Sequence, residues 1–136
     1  MADTDSPPTL LYDDIVVGTE YEILADPVER DDVARYLRAC GQQDVDLYGD
    51  TVPPLMLALI KYLKESLAAT WPPGGLHAGE KISVLDRLPL GTPFRVRTRV
   101  VDKHPGRRHR FVSFDIEVTT EDTTCLHISR RLTWAA

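Results

Sequence analysis

The residues able to move protons are few and unevenly placed. Four histidines, His77, His104, His109 and His127, all lie in the second half of the chain, and none lies between Met1 and Leu76. An imidazole titrates near neutral pH, so one held in place can take a proton from water or a weakly acidic carbon. Candidate carboxylates crowd the polar segment 42–51 (QQDVDLYGDT), which holds Asp44, Asp46 and Asp50. Aspartate is also a common turn residue, because its side chain bonds nearby backbone. Solvated turn carboxylates and a working acid are therefore both open readings. His104 and His109 flank Pro105-Gly106 and are expected at an exposed hairpin tip. His127 alternates with Leu126 and Ile128, which points it to solvent or an interface. His77 follows Gly74-Gly75 at a strand start, as a hydrogen-bonded structural residue or as a pocket lining.

Other chemistry is less supported. Cys40 and Cys125 have no paired spacing, so neither a metal signature nor a disulfide framework is read, and no cofactor is implied. Both are expected in packed surroundings as small apolar residues. The net charge of −5 argues against nucleic acid unless basic residues cluster. One cluster exists, Lys103 to Arg110 (KHPGRRHR), as a solvated hairpin tip or a patch for an acidic partner. The longest apolar stretch, Val52 to Ile60, is too short to cross a bilayer. With no leader or membrane span read, the cytoplasm is the expected location.

These residues need a frame to position them. A chain of 136 residues that is 43% hydrophobic suits one domain without a metal or disulfide staple. Residues 1–9 read as a loose tail and 10–136 as the domain. A short strand is expected near Glu20 to Leu24. Asp26-Pro27 is expected to open a helix whose face carries Val33, Tyr36, Leu37 and Cys40, ending at Gly41. The strongest element is Pro53 to Thr70, read as one long helix of roughly 27 Å at 1.5 Å per residue. Its stripe is Leu55, Met56, Leu59, Ile60, Leu63 and Leu67, buried at the beginning and wetter toward Lys61, Lys64 and Glu65.

After the breaker Trp71 to Gly75 the period changes to two. His77 to Leu88 reads as a strand. Phe94, Val96, Thr98 and Val100 alternate with Arg95, Arg97 and Arg99. Val112, Phe114, Ile116 and Val118 form the next apolar row, and Asp115 and Glu117 could face the arginines. Leu126, Ile128, Leu132 and Trp134 line the last strand, with Arg130 the exception in that row. The order is strand, helix, long helix, then a four-strand meander. An apolar sheet face needs a cover, and the helix from Pro53 is the candidate. The expected architecture is α+β, a hot-dog fold with an antiparallel sheet wrapped around one long central helix. An open two-layer sandwich is the alternative.

The sequence resembles the MaoC-like, fungal-synthase-type (3R)-hydroxyacyl-thioester dehydratase/hydratase family, in its N-terminal branch. The likeness runs from about Tyr12 to Leu132. It is carried by YDDIVVGTE (12–20), VERDDV (28–33), VPPLM (52–56), GLHAGE (75–80) and RLPLG (87–91). The family places an Asp and a His in a D-x-N-P-x-H loop before the central helix. Here that loop reads QQDVDL (42–47), so Gln42 stands at the acid and Leu47 at the base. Neither can act as a base, so no catalytic residue is expected from the family pattern.

The resemblance then implies a subunit of a dehydratase/hydratase that supplies an acyl channel and takes its reactive groups from a second hot-dog subunit. A heterodimer is favoured and a homodimer is the alternative. The substrate would be an acyl-CoA or acyl-carrier-protein thioester, bound by Pro54, Leu55, Met56, His77, Ala78 and Gly79. Amides at Leu55, Met56 or His77–Gly79 could hold a developing enolate oxygen. Two other implications stay open: a self-sufficient dehydratase or thioesterase using Asp44 or Asp46 with His77, and an acyl-thioester binding module without chemistry.

Overall fold

The computed structural model describes residues 7–135. Five antiparallel strands form one sheet in the order β1-β3-β4-β5-β2, with β1 Glu20–Ala25, β2 His77–Val84, β3 Phe94–His104, β4 Arg110–Thr119 and β5 Thr124–Trp134. Two helices accompany it, α1 Arg30–Ala39 and α2 Ile60–Leu67. Period-two alternation does what it predicts: Phe94, Val96, Thr98 and Val100 are buried, as are Val112, Phe114, Ile116 and Val118. Arg97 stands opposite Glu117 and Arg99 opposite Asp115, while Arg95 and Arg97 pair with Glu22 at 3.6 and 3.8 Å.

The expected four-strand meander is only partly right. β3, β4 and β5 form it, but β2 pairs with β5 and occupies one free edge of the sheet. The 85–93 connection carries the chain across the sheet end from β2, past β5 and β4, to β3. It is pinned by Leu85 N–H to the Cys125 carbonyl, Val52 N–H to the Leu88 carbonyl and Leu90 N–H to the Asp50 carbonyl, each 2.8 Å. Leu88 is buried and anchors it.

The single long helix is also corrected. Residues Pro54–Ala58 form a 3₁₀ segment, Leu59 is extended (φ −64°, ψ 146°), and α2 starts only at Ile60. Pro53 and Pro54 lack amide donors. The Ala58 carbonyl, which a continuous helix would bond to the Tyr62 amide, instead accepts from the Arg130 guanidinium, and Tyr62 N–H turns to Leu59 at 3.2 Å. At eight residues α2 is about 12 Å long. The expected stripe is split: Leu55, Leu59 and Ile60 are exposed, whereas Met56 and Leu57 of the first segment and Tyr62, Leu63, Ser66 and Leu67 of α2 are buried, and Lys61, Lys64 and Glu65 are exposed as expected. The break explains this, because it rotates the first segment out of register with α2.

The first helix begins three residues later than Asp26-Pro27 predicts. Glu29 is its N-cap, and the Asp32 carboxylate accepts from the Glu29 amide at 3.0 Å. Its end is as expected: Gly41, at φ +84°, donates to Arg38, and Gln42 donates to Leu37 at 2.8 Å, which ties off the last carbonyls. Val33 and Leu37 join the core, but Cys40 is exposed, correcting its packed placement; Cys125 is buried. The predicted loose tail falls partly outside the described residues. Within them, the Pro8 carbonyl accepts from Thr70 N–H, and Leu10 donates to the Thr70 carbonyl.

α2 packs against β1 and β3, with the Tyr62 ring edge-on to Phe94 at 5.6 Å. Burial, with Glu65 and Asp32 adding to it, pushes the Tyr62 phenol up to about 12. The fold therefore favours the neutral phenol. That contribution is whole below the ordinary pKa of 10 and is lost as pH rises toward about 12. Tyr62→Phe should flatten the alkaline limb of stability against pH by on the order of 2 kcal/mol, read from urea unfolding at stepped pH. An unchanged limb would show that another group controls it.

Two buried hydroxyls in this core, Ser66 Oγ and Thr98 Oγ1, have no hydrogen-bond partner among the described residues. An unpaired buried hydroxyl costs stability that an isosteric methyl does not. Thr98→Val should raise the unfolding free energy by about 1 kcal/mol, seen as a higher denaturant midpoint at constant slope.

Candidate functional site

The segment that resembles an emptied catalytic loop is held by its own polar groups. Gln42 Oε1 accepts from the Asp44 amide at 3.0 Å, and Asp44 Oδ1 from the Asp46 amide at 3.1 Å. Arg30 at the start of α1 reaches over to Asp46 at 3.4 Å and to Asp50. Asp44, Asp46 and Asp50 are thus engaged as turn and ion-pair carboxylates at the surface. Leu47 is 53% exposed. The loop's far end is tied to the 88–91 turn by Leu90 N–H to the Asp50 carbonyl at 2.8 Å, and in that turn Gly91, at φ +73°, donates to the Val28 carbonyl ahead of α1 at 3.0 Å.

The channel residues named from the family pattern divide. Met56, with Leu59 and Tyr62, lines a cleft of about 450 Å³ between α1 and α2, where Asp26, Asp32, Arg35, Lys61 and Glu65 supply the charge. Pro54 is half-buried and Leu55 is 59% exposed beside it. The Met56 amide is spent on the Pro53 carbonyl at 3.0 Å, which weakens its candidacy as an oxyanion donor. A larger groove of about 790 Å³ lies among the 85–95 connection and the β4–β5 turn, and none of the named residues lines it.

His77, Ala78 and Gly79 lie on the edge strand β2. Gly75 lets the chain approach it: a Cβ there would sit 2.8 Å from the Thr133 carbonyl oxygen. Leu76 N–H then bonds Thr133 Oγ1 at 2.6 Å, and Thr133 N–H bonds the Leu76 carbonyl at 2.8 Å, fixing where β2 begins. The pairing with β5 slips between His77 and Gly79, so that His77 stands opposite Leu132 and Glu80 opposite Arg130. Leu132 and Arg130 share the inner face of β5, and both are buried. The extra residue, Ala78, therefore brings His77 and Glu80 onto one face; three residues apart in a regular strand, they would point oppositely.

The result is a charged cluster in an otherwise apolar row. Arg130 Nε donates to Glu80 Oε1 at 2.7 Å, and its Nη2 donates to the same carboxylate and to the Ala58 carbonyl. The Arg130 side chain is 2% exposed and that of Glu80 23%. His77 Nε2 lies 3.6 Å from Glu80 Oε2, and the imidazole is 45% exposed. Glu80 was not singled out from sequence. The signal that could have found it is Arg130 breaking the apolar row of β5, since a buried cation needs a carboxylate from a neighbouring strand.

His104 and His109 are exposed at the β3–β4 tip, and His127 Nε2 stands 4.0 Å from Asp115 on the outer face. Lys103 is less solvated than a tip residue would be: it donates to the Ile15 carbonyl at 2.9 Å and lies over the Tyr12 ring. Among the described residues no group of three His, Cys, Asp or Glu could hold a metal ion, and no helix is long and apolar enough to cross a membrane.

No family model matches the sequence, and neither does any curated protein. Solved structures do match. The R-hydratase PhaJ1 of Pseudomonas aeruginosa superposes with a TM-score of 0.71 at 14% identity, covering 93% of this chain and 86% of that one. A MaoC-like dehydratase from Rhodospirillum rubrum gives 0.68 at 15% identity, covering 93% and 98%. The HadBC 3R-hydroxyacyl-ACP dehydratase complex of Mycobacterium tuberculosis gives 0.69 at 14% identity, covering 88% and 97%. At such identities the likeness establishes the fold alone: this chain has the hot-dog fold, of α+β class.

Proposed function

We infer that the chain is a subunit of a (3R)-hydroxyacyl-thioester dehydratase/enoyl-thioester hydratase, of the family's N-terminal branch, that forms the acyl channel for a catalytic hot-dog partner. The observation that carries this reading is the 42–51 loop. It stands where the family resemblance would place a catalytic loop, yet contains no imidazole, and Arg30 ties down two of its carboxylates. Two further features favour a partner. β2 is a free sheet edge, and exposed edges in soluble proteins are usually paired or blunted. The apolar side chains of Leu55, Leu59 and Ile60 stand exposed on the 3₁₀ segment and the start of α2.

The second subunit would supply the Asp and His. A heterodimer fits better than a homodimer, because two copies of this loop would leave the site without that pair. The thioester would be carried by CoA or an acyl carrier protein in the cytoplasm, with Arg107 and Arg108 at the β3–β4 tip available to its phosphates. Co-expression with a hot-dog protein encoded beside it tests the reading. The expected outcome is a stable complex that hydrates crotonyl-CoA or octenoyl-CoA, while this chain alone does not. Hydration by this chain alone at the rate of the complex would overturn it.

A further inference from the structure

We propose that His77, aimed by Glu80 and Arg130, is a proton-transfer group that this chain itself contributes to the composite site. The inference rests on the subunit reading above and adds a catalytic residue to what would otherwise be only a channel wall.

Three observations meet at this cluster. The bulge at Ala78 turns His77 onto the inner face beside Glu80, and bulges of this kind re-aim side chains next to active sites. The Glu80 carboxylate is fixed through Oε1 by two donors of a buried guanidinium, leaving Oε2 toward the imidazole. The imidazole itself remains nearly half exposed, so a substrate can reach it. A carboxylate facing one ring nitrogen selects the tautomer that bears its proton there and frees the other nitrogen as a base. Here Nε2 faces Glu80 and Nδ1 is the free position. Arg130 also binds the Ala58 carbonyl at the helix break, so the cluster and the exposed Leu55 and Leu59 are held in one fixed relation.

In the hydration direction, His77 Nδ1 takes a proton from water as the water oxygen bonds to C3 of the enoyl thioester. The C2=C3 electron pair moves into the thioester enolate. The partner's Asp–His pair, acting as the acid, protonates C2, completing the 3-hydroxyacyl thioester, and the proton on His77 passes through solvent to recharge that pair. Atoms and charge balance, and no other reactant is needed.

The test uses the complex of this chain with its hot-dog partner, assayed by loss of enoyl-thioester absorbance with crotonyl-CoA and octenoyl-CoA. His77→Gln should lower kcat about 100-fold, the usual scale for a general base, with little change in KM. Glu80→Gln should lower kcat about tenfold at unchanged circular dichroism, since the base is misaimed rather than removed. Added imidazole should restore part of the rate to His77→Ala, which a structural role would not produce. If the wild-type complex is active and His77→Gln keeps its kcat, the inference is wrong while the subunit reading stands. Full activity in Glu80→Gln, or no rescue by imidazole, also overturns it. A wild-type complex that hydrates neither substrate removes the subunit reading and this inference with it.

Discussion

Arg130→Ala is expected to lower the unfolding free energy by about 3 kcal/mol, toward the lower end for breaking a buried ion pair because Glu80 keeps some access to water. The guanidinium is almost wholly buried and bonds Glu80 and the Ala58 carbonyl together. Its loss leaves the carboxylate and the carbonyl without their donor and opens a gap in the β5 row. Arg130→Met fills that gap, and pairing it with Glu80→Gln removes the stranded charge. The double variant should therefore lose clearly less than the sum of the two single ones, with a coupling of at least about 1 kcal/mol. Urea unfolding of the four proteins measures this cycle. Additive single effects would mean that the two side chains do not depend on each other.

Phe94→Ala is expected to cost about 4 kcal/mol, in the range for deleting a large buried aromatic. Phe94 has no solvent exposure, opens β3 opposite Ala25 of β1, and meets the Tyr62 ring of α2. One side chain thus joins the short helix to both strands it packs on. A protein of this size has a net stability of about 5–15 kcal/mol, so the variant should show a much lower urea midpoint. Phe94→Leu, which keeps most of the volume, should recover more than half of the loss. A loss below about 1 kcal/mol for Phe94→Ala would mean that α2 is held elsewhere.

Both predictions concern side chains whose rows were legible in the sequence. Alternation over 94–100, 112–118 and 126–134 named the inner faces of β3, β4 and β5, because a half-buried strand has no other way to write itself. The same alternation marked Arg130 as the odd member. The helical stripe misled. Leu55, Leu59 and Ile60 fit a 3.6-residue period on paper, yet the period presumes an unbroken helix, and the break at Leu59 depends on a side chain 71 residues later. Asp26-Pro27 offered a plausible helix start, but Glu29 with Asp32 provided the cap. Cys40 followed the stripe of α1 to a position that proved exposed. In the 42–51 loop, residue types alone ruled out a histidine base, whereas the claim of Arg30 on Asp46 and Asp50 needed the folded chain.

Sequence by itself determined the class of the fold, the inward rows of three strands, the Gly41 stop and the absence of a base from the loop. These are local properties, written in period, turn residues and side-chain chemistry. Tertiary structure decided the placing of β2 beside β5, the break in the central helix, and the meeting of His77, Glu80 and Arg130. Each of those rests on contacts between residues more than 40 positions apart, or on a one-residue bulge that reverses which face a side chain takes. No local period carries that information. It is fixed by the balance of burying one guanidinium with the partners the fold brings to it.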